Sequence, residues 1–252
     1  MNGPASGTRR VVVVTGAGGA LGAAIAHRLA GEPRTDLVLS DISGPSLEAT
    51  VTRLPATDGG VETALADVGD LAQVEAVVDL AMERFGRVDV LISNAGVLSA
   101  NGRIHNLPSE EWERAFRINV LGAVNGIKAA VGVMRPQGSG SIVLTASVSG
   151  MTAWSHAGPY CATKAAVIQL AKVAAVEYAR DGIRVNCVCP GSFRSAIHED
   201  LPAEAIDAIA ARHPLGLGSA TDLAGQVGVG AGDASRWATG SAMVVDGGYS
   251  AP

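Results

Sequence analysis

The chain has 252 residues, with 19 Lys and Arg against 24 Asp and Glu, which gives a formal charge of −5 and a pI near 5.5. An acidic chain offers no basic face for a phosphate backbone, which excludes nucleic acid as the expected partner. With 48% hydrophobic and 17% charged residues it can bury a core, and the length suits one large domain.

The first ten residues are polar and lack the apolar stretch of a signal peptide, so they are expected to form a flexible tail ahead of a single domain at 11–252. Residues 11–14 are an unbroken valine run, as in a strand buried on both faces of a parallel sheet. Segments 37–40, 62–66, 89–92, 141–145, 183–188 and 242–245 read the same way. Helices are predicted between them at 20–31, 46–54, 70–85, 109–134, 158–180 and 202–211. The clearest is 70–85, where Leu71, Val74, Val78, Ala81 and Phe85 recur at spacings of three and four and Asp70 can cap with Gln73. A weaker helix follows Thr221, because four glycines between 225 and 232 lower its propensity. Seven strands alternating with helices predict an α/β, single-domain, doubly wound Rossmann fold: a seven-stranded parallel sheet with helices on both faces.

No apolar run is long enough to span a membrane, so no membrane partner is expected. Cys161, Cys187 and Cys189 are an odd set without CxxC spacing, which fits a reducing cytoplasm better than a disulfide framework. The five histidines, at 27, 105, 156, 198 and 213, have no metal-ligand spacing, and no metal is assigned.

The first strand runs into Thr15-Gly16-Ala17-Gly18-Gly19-Ala20-Leu21-Gly22 and then a helix. Glycines let the backbone turn sharply and approach a pyrophosphate, and the helix N-terminus offers free N–H groups. A tight strand–helix turn that binds nothing has the same composition. Asp41 ends the second strand 19 residues past Gly22, where a carboxylate would bond the ribose 2′-OH of NAD and repel the 2′-phosphate of NADP. The alternative is a cap on the following turn.

Tyr160 and Lys164 stand at i, i+4 near the start of a long helix, so both side chains share a face. A tyrosine is a poor base at neutral pH until a neighbouring ammonium favours its phenolate. With only three tyrosines and three lysines in the chain, the pairing is uncommon by chance, although an exposed helical pair is the plain alternative. Ser147 follows the fifth strand at the carboxyl-end rim where ligands sit in such sheets, with Ser149 and Thr145 as equal rivals.

Taken in order, Thr15–Gly22, Asp67-Val68, Asn94-Ala95-Gly96, Asn119, Ser147, Tyr160 with Lys164, Asn186 through Pro190-Gly191, and Asp246-Gly247-Gly248 resemble the short-chain dehydrogenase/reductase family in its compact form. The resemblance covers nearly the whole chain. It implies Tyr160 as general acid/base and Lys164 as the group that lowers its pKa and bonds the nicotinamide ribose. Ser147 would hold the substrate oxygen, and Asn119 would complete a water-linked proton path to Lys164. Cofactor contacts are implied at Gly16, Gly19, Leu21, Gly22, Asp41, Asp67, Val68, Asn94, Ala95, Gly96, Pro190, Gly191, Phe193 and Ser195, with Asp67 at the adenine. The family usually has glycine where this chain has Ala20, asparagine where it has Ser93, and threonine where it has Ser195; none of these changes removes a catalytic group.

Ser149, Trp154, His156 and Phe193 are the expected substrate contacts. For Trp154 and Phe193 a core or interface role is the equal alternative, and for His156 a surface loop. The resemblance implies an NAD-dependent oxidoreductase that interconverts a secondary alcohol and its ketone on a cyclic or moderately apolar small molecule. It further implies a homotetramer that packs 109–134 and 158–180 across a dyad. A non-redox dehydratase or cyclase and a silent nucleotide-binding regulator are the other readings the fold permits.

Overall fold

A computed structural model describes residues 9–195 and 202–251. Seven strands form one parallel sheet in the order β3-β2-β1-β4-β5-β6-β7. They are β1 (Arg10–Thr15), β2 (Thr35–Asp41), β3 (Val61–Leu65), β4 (Val90–Ser93), β5 (Gly140–Thr145), β6 (Ile183–Pro190) and β7 (Ala242–Val245). The helices are α1 (Ala20–Ala30), α2 (Gly44–Thr52), α3 (Leu71–Phe85), α4 (Ser109–Ala115), α5 (Gly122–Gln137), α6 (Gly158–Tyr178), α7 (Ala203–Ala210) and α8 (Ala220–Ala231).

The valines of β1 alternate between two cores, as strand geometry requires. Val11 and Val13 pack with α3, α5 and α6, while Val12 and Val14 pack with α1 and α8. The two-sided burial expected of every strand holds for β1, β2 and β4 to β6 but fails at the edges. No residue of β3 or β7 is buried, and Leu65 is 65% exposed, because an edge strand has a neighbour on one side only.

Three further expectations need correction. Arg9 and Arg10 belong to the fold rather than to a tail: Arg10 pairs with Thr35 in the sheet, and the Arg9 guanidinium bridges Asp36 and Asp58. Residues 1–8 lie outside the described residues. The single helix expected at 109–134 is two helices joined by a π-helical stretch, Phe116–Leu121. The helix after Thr221 continues through its glycines to Ala231. Its start is fixed by a reciprocal capping box between Ser219 and Asp222. Its glycines answer to packing: a Cβ at Gly230 would stand 2.6 Å from Met243 Cε, and one at Gly228 would stand 2.5 Å from Arg28 Nε. Close approach outweighs the helix propensity lost.

Strand order reverses about β1, which has β2 on one side and β4 on the other. The crevice beyond the carboxyl ends of β1 and β4 is where ligands bind in such sheets.

Candidate active site

That crevice opens into a cleft of about 840 Å³. Gly16 turns out of β1 at φ +66°, and a Cβ there would lie 2.7 Å from the backbone of Ala95. At Gly22 a Cβ would lie 2.0 Å from the Gly16 carbonyl, so the loop folds back on itself only with glycine at that position. Gly19 caps α1 without a side-chain hydrogen bond, and no acidic residue stands in the first turn, so this helix end is free to meet an anion. Ala20 is exposed at the rim, so its methyl group replaces the usual glycine without a clash.

Asp41 makes the turn cap and one further bond. Its Oδ1 accepts from Ser43 N–H at 2.9 Å, the local turn cap. Its Oδ2 accepts from Gly18 N–H at 2.8 Å, which ties the glycine loop to the end of β2. The opposite wall comes from β4, where Asn94 donates through Nδ2 to the carbonyls of Thr15 and Gly16 at 3.2 and 3.1 Å. Thr145 donates to Asn94 Oδ1, linking β1, β4 and β5 at one rim. Asp67 also lines the cleft, and the Arg117 guanidinium 2.8 Å away holds its carboxyl below the ordinary range. The glycine cradle and the free helix end suit the pyrophosphate of a dinucleotide.

The reactive end is built on α6. Tyr160 and Lys164 stand one turn apart, with Lys164 Nζ 5.7 Å from the Tyr160 ring centroid. Lys164 Nζ donates to the Thr145 carbonyl at 2.7 Å, and burial pushes its pKa down to about 8. Asn119 comes from the π-helical stretch; its Oδ1 accepts from Val97 N–H, and its Nδ2 donates to the Val97 carbonyl and to Thr163 Oγ1. A Cβ at Gly96 would meet Asn119 Oδ1 at 3.1 Å and Lys164 Nζ at 3.4 Å, so these groups close on one small space.

The phenolate expected from the neighbouring ammonium is not what this geometry favours. Burial pushes the Tyr160 hydroxyl above its ordinary value, and its hydrogen bond with Ser147 only opposes that rise. The Lys164 ammonium is held by the Thr145 carbonyl.

Ser147 separates from Ser149, whereas Thr145 also lines the cleft, with its hydroxyl on Asn94. Ser147 itself lines the cleft and donates to the Pro190 carbonyl, while its Oγ accepts from Ser149 N–H at 3.1 Å. Ser149 is buried, its hydroxyl has no partner, and it does not line the cleft; its backbone N–H donates to Ser147 Oγ. His156 is likewise corrected. It is exposed at φ +69°, its ring bonds Ser155 Oγ, and it does not line the cleft. Asn119 is buried behind the wall, on Val97 and Thr163, and does not line the cleft. The remaining expected site residues lie in the cleft wall, including Leu21, Val68, Gly191, Trp154, Phe193 and Ser195. His198 lies outside the described residues.

Sequence reasoning missed Arg117, Ile209, Arg212, His213 and Tyr249, all of which line the cleft. Tyr249 had a signal, since it directly follows Gly247 and Gly248, whose positive φ angles turn the chain back toward the rim. His213 had none. It is 4% exposed, its Nε2 accepts from Ser192 N–H, and its Nδ1 bonds the Ile209 carbonyl, joining the segments on either side of the opening.

The family model described as Enoyl-(Acyl carrier protein) reductase matches residues 16–250. A 2-(R)-hydroxypropyl-CoM dehydrogenase from Xanthobacter autotrophicus is 39% identical, over 96% of this chain and 99% of its own. The chain belongs to the short-chain dehydrogenase/reductase family. Levodione reductase from Leifsonia aquatica is 36% identical, over 97% of this chain and 95% of its own. A levodione reductase crystal structure superposes with a TM-score of 0.91 at 35% identity, over 97% and 98% of the two chains. A structure of NAD+-bound xylitol dehydrogenase superposes with a TM-score of 0.90 at 29% identity, over 96% of this chain and all of the other. The relatives are named as dehydrogenases and reductases, and this short-chain dehydrogenase/reductase is an oxidoreductase by family.

Proposed function

We propose that the enzyme interconverts a secondary alcohol and its ketone with NAD as the redox partner, on a cyclic or moderately apolar small molecule. The reading is carried by one observation: Tyr160, one helical turn from Lys164, shares a single cleft with Ser147 and the glycine cradle. Gly16, Gly19, Leu21 and Gly22 would hold the pyrophosphate, Asp41 the adenosine ribose, Asp67 and Val68 the adenine, and Asn94 to Gly96 with Pro190, Gly191, Phe193 and Ser195 the nicotinamide half. Bound NAD supplies the acceptor for the hydride that leaves the carbinol carbon.

Ser147 Oγ holds the substrate oxygen; Tyr160 gives its own proton to the relay past Lys164 and takes the substrate oxygen's proton as the carbonyl forms. The alcohol thus loses one hydride and one proton, and the reverse reaction returns both. Lys164 holds the cofactor ribose and, through water beside Asn119, connects Tyr160 to solvent. Asp41 supports NAD over NADP, because a 2′-phosphate would meet a carboxylate there. Among the described residues no helix is long and apolar enough to cross a membrane. We place the enzyme in the cytoplasm as a homotetramer, with a small-molecule substrate and no nucleic-acid or membrane partner.

The test is the appearance of NADH absorbance when the enzyme, NAD and a panel of cyclic secondary alcohols are mixed. Tyr160→Phe removes only the hydroxyl, and turnover is expected to fall by roughly 10²–10⁴ with NAD affinity kept. A Tyr160→Phe enzyme with near-normal turnover would overturn this mechanism.

A further inference from the structure

Beyond Tyr160 the cleft wall continues as a row of rings. Trp154 stacks on Tyr160 at 6.2 Å between centroids, Tyr249 meets Trp154 edge-on at 6.3 Å, and Arg212 lies over the Tyr249 ring at 4.8 Å. Two donors on this row are left over by the protein's own bonding. Trp154 Nε1 is a buried N–H with no acceptor. Arg212 is exposed at the cleft wall and donates to the Tyr249 hydroxyl, and among the described residues no carboxylate pairs with it.

The other charged groups lining the cleft are accounted for. Arg117 is paired with Asp67, Lys164 is buried beside Tyr160, and Asp41 holds Gly18 and Ser43. His213 is occupied at both nitrogens. Asp246, the carboxylate of the turn that carries Tyr249, accepts from Gly248 and Ser250. Among the described residues Arg212 is therefore the charge without a carboxylate partner along an otherwise apolar wall of Trp154, Phe193, Ile209 and Tyr249. A guanidinium presents a planar fork of donors, and a carboxylate accepts from that fork more strongly than a phenol oxygen does.

We propose that the substrate is a hydroxy acid or keto acid whose carboxylate lies remote from the carbinol carbon, and that Arg212 selects it. The apolar body of the substrate lies along Trp154 and Tyr249. This rests on the alcohol dehydrogenase reading above and adds a substrate class to it.

Two measurements separate the proposal from that reading. In the first, titration calorimetry with NAD present compares cyclohexanecarboxylate with its methyl ester; neither carries an alcohol, so no turnover is needed. Wild type is expected to bind the acid at least ~10-fold more tightly, consistent with a charge-assisted hydrogen bond. Arg212→Met is expected to abolish that ratio, and Arg212→Lys to keep part of it. High salt should reduce the ratio as well, because Arg212 is exposed. Equal binding of acid and ester by wild type, or an unchanged ratio in Arg212→Met, overturns the proposal. In the second, kcat/KM is measured for ring alcohols with and without a carboxylate. Turnover of both with no preference for the acid overturns the anion site and leaves the dehydrogenase standing. Acid-selective binding with no oxidation of any alcohol supports the anion site and overturns the dehydrogenase reading.

Discussion

Lys164 is the side chain whose environment departs furthest from water, and two consequences follow from its burial. Its pKa falls from 10.5 to about 8, so between those values the unfolded chain binds a proton that the folded chain does not. Stability therefore rises with pH across that window; the raised Tyr160 value works the other way, but only above about 10. Lys164→Met removes the titrating group and is expected to melt higher than wild type near pH 7, with the gap closing by pH 10. A gap that stays constant with pH would mean that the folded ammonium costs nothing. Asp41 offers a second measurement at this scale. Wild type should show kcat/KM for NAD at least ~10-fold above that for NADP, about 1.4 kcal/mol. Asp41→Ala should narrow this gap and also raise KM for NAD, because the same carboxylate anchors Gly18 N–H. Equal use of both cofactors by wild type would remove Asp41 as the determinant.

Between β1 and α1 the glycines are not equivalent, and sequence inspection ranks them alike. A Cβ at Gly19 would meet only the Gly16 carbonyl at 3.5 Å, an ordinary contact, whereas one at Gly22 would reach 2.0 Å from that same oxygen. Gly19→Ala should fold with a melting temperature close to wild type. Gly22→Ala must push the loop off α1 and is expected to cost about 1–3 kcal/mol or more, with NAD binding lost first. Denaturant melts and a cofactor titration on both variants check this. On the same face of the sheet α8 depends on a different device. The half-buried Arg184 guanidinium donates to the carbonyls of Gly230, Gly232 and Ser235, so it satisfies the end of a helix too rich in glycine to hold on propensity.

Across the whole molecule, the surface of α6 is the feature that one chain does not explain. Apolar residues run around the helix, and Val176 and Val173 are 81% and 44% exposed. On the neighbouring π-helical stretch, Phe116 and Leu121 are exposed as well. A helix apolar all round is a buried helix, and here the cover would be a second copy. Sedimentation of wild type is expected to give a four-chain species, and Val176→Asp with Val173→Asp a smaller one. A wild-type monomer at micromolar concentration would refute the homotetramer.

The doubly wound fold was legible because its signals are local and repeat: valine runs at strand length, helices at spacings of three and four, and turn glycines between them. The catalytic row was legible for the same reason, since Tyr160 and Lys164 share one helix face and the glycine loop is contiguous. Features that depend on which segments meet were not. The edge position of β3, the close approach that turns the glycines of α8 into an asset, and the break that presents Asn119 are set by partners distant in sequence. The substrate wall is the clearest case. Ile209, Arg212, His213 and Tyr249 arrive from two segments with no shared motif, and Ser149 and His156, two and nine residues from Ser147, face away from the cleft. Periodicity fixes which face of its own element a side chain occupies; only packing decides what that face meets, and here it sets a guanidinium beside the rings that continue from Tyr160.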